Sequence, residues 1–141
     1  MIRTALACTA LVAALLFSYP SAAAQQPAQA TAADAAPFMG DWALALEGPN
    51  GPGSFDLSVK VDKEKVVGEI TNPAMPTQAI TDVVKTEKSL VLRYSFTWEG
   101  NPVDAVVSLT PAADGKVGAK IDFAGGAYTM TGTATKKEKK D

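Results

Sequence analysis

The sequence predicts an all-β protein whose strands form an eight-stranded antiparallel up-and-down meander that closes into a small barrel. Three observations lead to this fold class. Apolar and polar residues alternate in several runs, turn sequences rich in Gly, Pro or charge separate these runs at short intervals, and no stretch beyond the apolar amino terminus has helical spacing. A β-sandwich of the same strands is the alternative architecture.

The alternation is clearest in residues 55–62, FDLSVKVD, where four apolar residues share one strand face and four polar residues share the other. Because successive side chains of a strand point to opposite faces, this pattern is typical of an antiparallel strand with one buried face. The same pattern gives three later apolar faces, formed by Leu90, Leu92, Tyr94, Phe96 and Trp98, by Val103, Ala105, Val107 and Leu109, and by Val117, Ala119, Ile121 and Phe123.

Turn sequences divide the domain into eight predicted strands. In chain order these cover residues 41–47, 54–62, 65–71, 77–85, 89–98, 102–110, 116–123 and 126–135. The connections are short, so strands that are adjacent in the sequence are expected to pair. Closure into a barrel would leave no exposed sheet edge, and Gly68 and Gly132 lie within strands, where tight curvature needs glycine.

Residues 1–24 have the features of a secretory signal peptide. The only charge is Arg3, an apolar run covers residues 5–17, and the small residues Ala22-Ala23-Ala24 precede the expected cleavage site. The apolar run is too short to span a bilayer comfortably. We therefore expect an exported protein, periplasmic or extracellular, without a membrane span.

Cleavage would leave three further segments. They are a flexible leader (25–37), the β-barrel domain (38–135) and a charged tail (136–141). Cleavage also removes Cys8, the only cysteine, and Arg3, so that 12 of the 13 basic residues remain against 15 acidic ones, a net charge of −3. This mildly acidic balance lacks the basic surface that nucleic-acid binding requires.

The mature chain has neither His nor Cys, which removes the commonest general base, the commonest metal ligand and the thiol nucleophile. The acidic residues of the predicted strands lie on the polar, outward faces; they are Asp56, Asp62, Glu69, Asp104 and Asp122. The sequence also lacks a phosphate-binding glycine motif and a calcium loop. We therefore expect a protein that is not an enzyme, with no metal site and no cofactor.

The tripeptide Gly40-Asp41-Trp42, at the start of the first strand, resembles the G-x-W signature of the calycin barrels, the lipocalin and avidin group. The eight-strand meander is similar as well, and the chain also resembles small exported bacterial β-domains of uncharacterised function. The lipocalin pattern has an arginine that packs over the tryptophan late in the barrel, whereas this chain has Lys136 and Lys137 near that position and no carboxy-terminal helix. The resemblance implies a barrel that binds a small ligand.

Topology locates a candidate binding site at one end of the predicted barrel. Alternate loops lie at the same end, and the first, third, fifth and seventh are rich in Gly and Pro, whereas the others are mostly charged. The expected apolar, aromatic mouth at the first end is formed by Leu46, Phe55, Ile70, Met75, Gln78, Trp98, Val103, Phe123 and Tyr128. Gln78 and the hydroxyl of Tyr128 are its predicted polar anchors, and the expected ligand is a small hydrophobic molecule.

A solid core is the alternative to a ligand cavity, because an eight-stranded barrel can be filled completely by its own side chains. The protein would then be a ligand-free structural or interaction module whose partner is another protein of the bacterial envelope. Contacts would use the loops or the partly apolar outer positions Val67, Val83, Val91 and Val106.

Overall fold

A computed structural model describes residues 29–138 of the chain. The predicted signal peptide (1–24), the first part of the predicted leader (25–28) and the end of the charged tail (139–141) lie outside the described residues. No helix among the described residues is long and apolar enough to cross a membrane.

The described chain forms a single antiparallel sheet of nine strands. The strands are β1 (Gly40–Gly48), β2 (Gly51–Asp62), β3 (Lys65–Asn72), β4 (Met75–Ile80), β5 (Asp82–Lys85), β6 (Leu90–Trp98), β7 (Asn101–Pro111), β8 (Val117–Phe123) and β9 (Tyr128–Lys136). Their order in the sheet is β4-β3-β2-β1-β9-β8-β7-β6-β5. The predicted all-β class and the up-and-down order are therefore confirmed.

Thr81 accounts for the ninth strand. It divides the predicted strand 77–85 into β4, which pairs with β3, and β5, which pairs with β6. Unbroken alternation would place Ile80 and Val83 on opposite faces, but both side chains are fully buried. The expected outward position of Val83 is therefore wrong, because the break at Thr81 reverses which residues of β5 face the core.

The sheet is rolled but is not closed by hydrogen bonds along its length. β4 and β5 are the two outermost strands of the ladder, yet only Thr81 separates them in the chain, so the two sheet edges must lie side by side. β5 pairs with β6 only as far as Arg93, and no ladder joins β4 to β6. The expected closure into a barrel by strand pairing is thus not found among the described residues, and the two sheet edges are connected only through the chain at Thr81.

Apolar side chains from one face of every strand fill the inside of this rolled sheet. The fully buried positions alternate along the strands, as in Trp42, Leu44 and Leu46 of β1, because the strand period is two. Gly132 of β9 lies so close to β1 that a Cβ atom there would overlap the carbonyl oxygen of Ala45. The expectation that Gly132 is required within its strand is thus explained by the close approach of two backbones.

Residues 29–38 pack against the end of the roll that carries the charged loops 63–64, 86–89 and 112–116, which we call the charged end. The short helix α1 (Ala32–Ala35) begins with a capping box between Thr31 and Asp34, and a 3-10 turn, Ala36–Phe38, follows it. Ala35 and Phe38 are buried in the core, and the backbone N–H of Ala30 donates to the carbonyl of Val83 at 2.8 Å. This segment therefore contributes to the domain, although most of it was expected to be a free leader.

Candidate functional site

The two ends of the rolled sheet differ in what covers them. The end with the charged loops is covered by residues 29–38, and the ion pair between Lys85 and Asp34, 3.9 Å apart, ties α1 to β5 there. The opposite end carries the β1–β2, β3–β4, β6–β7 and β8–β9 connections. We call it the open end, and the candidate site lies there.

Four aromatic rings form a continuous row that leads from the core to the open end. Tyr94 and Phe96 are stacked with their ring centroids 6.0 Å apart, Phe96 meets Phe123 edge to face at 6.1 Å, and Phe123 meets Tyr128 at 5.8 Å. These distances are typical of favourable aromatic pairs. We refer to Tyr94, Phe96, Phe123 and Tyr128 as the aromatic row.

Strand register explains why the row forms. Phe123 and Tyr128 are opposite one another at the ends of β8 and β9, while Tyr94 and Phe96 are two residues apart on β6 and so share its inner face. β7 lies between β6 and β8, and its small residue Ala105 is opposite both Tyr94 and Phe123. A small residue at this position leaves room for large rings on both neighbouring strands.

The nine residues predicted for the mouth fall into two groups. Leu46, Phe55 and Ile70 are buried core residues beneath the open end. The remaining six are accessible, with Trp98 exposed over 50 % of its surface and the others half-buried, namely Met75, Gln78, Val103, Phe123 and Tyr128. Gln78 donates a hydrogen bond from Nε2 to the carbonyl oxygen of Pro76 at 3.2 Å, so its amide is already partly occupied.

Two residues of the row, Tyr94 and Phe96, are missing from the predicted mouth. The alternation along residues 90–98 already placed both on the apolar face, so a signal for them existed in the sequence. Their contact with Phe123 required the pairing of β6, β7 and β8 in a specific register, which alternation within one strand does not define.

Among the polar groups of the aromatic row, the phenol of Tyr94 lies deepest. Its hydroxyl is buried and has no hydrogen-bond partner among the described residues. Burial raises the pKa of Tyr94 to about 12, because the ionised phenolate would lose its hydration. Tyr94 is therefore neutral over the physiological pH range.

The charges near the open end lie on the outer face of the sheet. Asp122 accepts a hydrogen bond from the hydroxyl of Thr129 at 2.7 Å and pairs with Lys120 at 3.1 Å. The Thr129 hydrogen bond first, and Lys120 second, hold the pKa of Asp122 below its ordinary value. Among residues 29–138 no group of three or more His, Cys, Asp or Glu side chains is placed to hold a metal ion.

The clefts of the described chain include five on the outside of the roll and at its charged end. One of them, about 290 Å³ in volume, lies between α1 and the charged loops and is lined by Asp34, Phe38 and Lys85 among others. None of the five is lined by a residue of the predicted mouth. A ligand at the open end would therefore sit among half-buried side chains and would not enter a preformed deep cleft of this group.

Trp42 anchors the charged end. Its indole Nε1–H donates to the carbonyl oxygen of Phe38 at 2.8 Å, and the Nζ atom of Lys136 lies 5.8 Å from the centre of its ring. Trp42 and Lys136 are opposite one another in the β1–β9 pair, so the sheet register sets this cation–π contact.

Comparison with known proteins gave no match, either to a family model, to a curated protein or to a solved structure. What the site binds has to be inferred from its own chemistry.

Proposed function

We propose that the protein binds a small apolar molecule at the aromatic row, and that it does so after export, outside the cytoplasm and without catalysis. The half-buried rings of Phe96, Phe123 and Tyr128 at the open end carry the proposal. Their exposed faces are apolar surface in contact with water, and a ligand that covers this surface gains about 25 cal/mol for each Å² removed from water.

The asymmetry of the two ends supports the same proposal. Residues 29–38 cover the charged end, whereas the open end has half-buried Met75 and Val103 beside the row and Trp98 above it. Small-molecule sites in proteins are mostly apolar with few polar groups, and the mouth of a small barrel is one of the places where they occur. The open end fits this description.

The resemblance to calycin barrels gives further support. Trp42 belongs to the G-x-W sequence, and Lys136 lies against its ring, where the lipocalin pattern has an arginine. A cation that packs on this tryptophan is therefore present, with lysine in place of arginine. The proposal extends the resemblance to ligand binding at the open end of the rolled sheet.

A second candidate function is that of a ligand-free structural or protein-interaction module. The observation in its favour is the complete burial of Leu46 and the near-complete burial of Phe55 and Ile70, which fill the roll beneath the open end with the protein's own side chains. In that case the aromatic row would be only the upper layer of the core, and a neutral apolar probe would not bind there.

A fluorescence titration separates the two functions. N-phenyl-1-naphthylamine is a neutral apolar fluorophore, and we expect its emission to rise saturably when it binds the protein. Trp98→Ser should weaken this binding about tenfold. The lost contact between the ligand and part of the Trp98 ring would cost about 1.4 kcal/mol. Circular dichroism would verify that each variant retains its sheet.

Val61→Ser is the matched control, because Val61 is also an exposed apolar residue, at 39 %, but lies near the charged end of β2. The control should bind the fluorophore as the unchanged protein does. Absence of a saturable rise, or a Trp98→Ser variant that binds no more weakly than the Val61→Ser control, would rule out apolar binding at the open end and favour the interaction module.

A further inference from the structure

Tyr94 has an unused hydrogen-bonding group inside the rolled sheet. Its side chain is only 7 % exposed, and its hydroxyl is the one buried side-chain polar atom of the described chain that lacks a partner. Leaving a buried donor or acceptor unpaired costs about 1–3 kcal/mol, so such groups are rarely retained without a use. A hydroxyl of this kind suits a ligand that brings its own polar atom.

Tyr94 also lies where the wall of the roll loses its hydrogen bonds. The ladder between β5 and β6 ends at Arg93, and Tyr94 is the next residue of β6. From Tyr94 to Trp98, β6 pairs only with β7, while β4 pairs only with β3. The neighbouring edges of β4 and β6 are therefore not joined by a ladder beside Tyr94.

The surface that leads to Tyr94 is mostly aromatic carbon. Its ring stacks on Phe96, which contacts Phe123 and, through it, Tyr128. A molecule lying along the row meets mostly aromatic carbon, with the Tyr128 hydroxyl at the open end and the buried, unpartnered Tyr94 hydroxyl at the inner end. This sequence of contacts matches an apolar body with a single polar group.

The absence of buried charge in the described part of the chain restricts the class of ligand further. No charged side chain is buried among the described residues. A carboxylate or an ammonium group at Tyr94 would lose its hydration without gaining an opposite charge, which is strongly unfavourable. The interior therefore favours a neutral molecule.

We propose that Tyr94 is the polar anchor of the site, and that the ligand is a small neutral apolar molecule with one hydrogen-bonding group, such as a hydroxyl or a carbonyl. Its polar group pairs with the Tyr94 hydroxyl and its apolar body lies on the aromatic row. This inference rests on the proposed function and specifies the ligand class.

Three probes of nearly equal shape test the anchor. They are p-xylene, p-cresol, which replaces one methyl group by a hydroxyl, and p-toluate, which carries a carboxylate. Affinities would be measured by ¹H–¹⁵N NMR titration of the full protein and of Tyr94→Phe. We expect p-cresol to bind the unchanged protein about tenfold more tightly than p-xylene, because one hydrogen bond to an otherwise unpaired buried group gives a difference of this size.

In Tyr94→Phe we expect this preference to vanish, while p-xylene binds at least as well as before and p-toluate binds weakest to both proteins. Equal affinity of p-cresol and p-xylene for the unchanged protein, or a preference that persists in Tyr94→Phe, would overturn the anchor but leave apolar binding intact. Tightest binding of p-toluate would overturn the neutral ligand class. Binding of none of the probes would overturn both the anchor and the proposed function.

Discussion

At the scale of single residues, Tyr94 combines two properties that rarely occur together in a protein interior. It is a large aromatic core residue whose ring packs on Phe96, and it carries a buried hydroxyl without a partner. The first property favours folding, whereas the second opposes it. Replacement of the hydroxyl by hydrogen therefore separates the packing of the ring from the chemistry of its polar atom.

The raised pKa of Tyr94 predicts a loss of stability at alkaline pH. In the unfolded chain the phenol ionises with its ordinary pKa of 10.0, but in the folded protein its pKa is about 12. Its contribution is therefore constant below pH 10, and the free energy of unfolding falls as the pH rises from 10 to 12, by about 2 kcal/mol in all.

Urea denaturation of the unchanged protein and of Tyr94→Phe at pH 8, 10 and 11.5 measures this effect. We expect the variant to lose less stability than the unchanged protein between pH 10 and 11.5, since the two proteins differ only in the Tyr94 hydroxyl. Parallel pH profiles would show that the Tyr94 phenol ionises in the folded protein as it does in water.

At the scale of elements, the structure depends on how closely particular strands approach one another. β1 and β9, the first and last strands of the chain, pair with each other, and Leu46 is opposite Gly132 in this pair. A Cβ atom at Gly132 would overlap backbone atoms of Ala45, which cannot rotate away as a flexible side chain would. Gly118 of β8 has room for a Cβ atom. The nearest atom to it would be the carbonyl oxygen of Thr110 at 3.6 Å, an ordinary van der Waals distance.

We expect Gly132→Ala to reduce the free energy of unfolding by about 3 kcal/mol or more, because two backbones would have to separate. Gly118→Ala is the matched control and should change it by less than about 1 kcal/mol. Chemical denaturation of the two variants provides the comparison. Similar stabilities for both would mean that β1 and β9 are not held as closely as the structure shows.

At the scale of the whole molecule, the domain begins earlier than the first strand. Phe38, 2 % exposed, inserts into the core from the segment that covers the charged end, and its carbonyl receives the hydrogen bond of Trp42. Pro37 is adjacent and exposed. Substitution of Phe38, with Pro37 as the control position, allows the contribution of this segment to stability to be measured without deletion of any part of the chain.

Phe38→Ala should lower the free energy of unfolding by about 3–5 kcal/mol, the usual cost of truncating a buried phenylalanine. Pro37→Ala should have a much smaller effect, because its side chain is exposed. Both values come from denaturant unfolding followed by circular dichroism. A small effect of Phe38→Ala would mean that residues 29–38 do not form part of the stable domain.

Local sequence patterns predicted most of the fold. The boundaries of β1, β2, β3 and the four strands from β6 to β9 lie within a few residues of those expected, because alternation and turn residues act over short distances in the chain. The break at Thr81 was not predicted. It depends on which strand each half of residues 75–85 pairs with, and alternation contains no information about partners.

The candidate site was predicted only in part for the same reason. Trp98, Phe123 and Tyr128 were placed at the open end from topology, and the structure has them there. Leu46, Phe55 and Ile70 belong to the same predicted mouth but are buried beneath the open end, since inward position alone does not tell how deep a side chain lies. Burial depends on neighbouring strands and on what covers each end.

The sequence alone determined the all-β class, the up-and-down order and the faces of most strands, because these follow from the two-residue period and short turns. The tertiary structure alone decided three further features. They are the unclosed wall between β4 and β6, the packing of residues 29–38 on the charged end and the isolation of the Tyr94 hydroxyl. Each of these depends on contacts between distant parts of the chain, which no local pattern specifies.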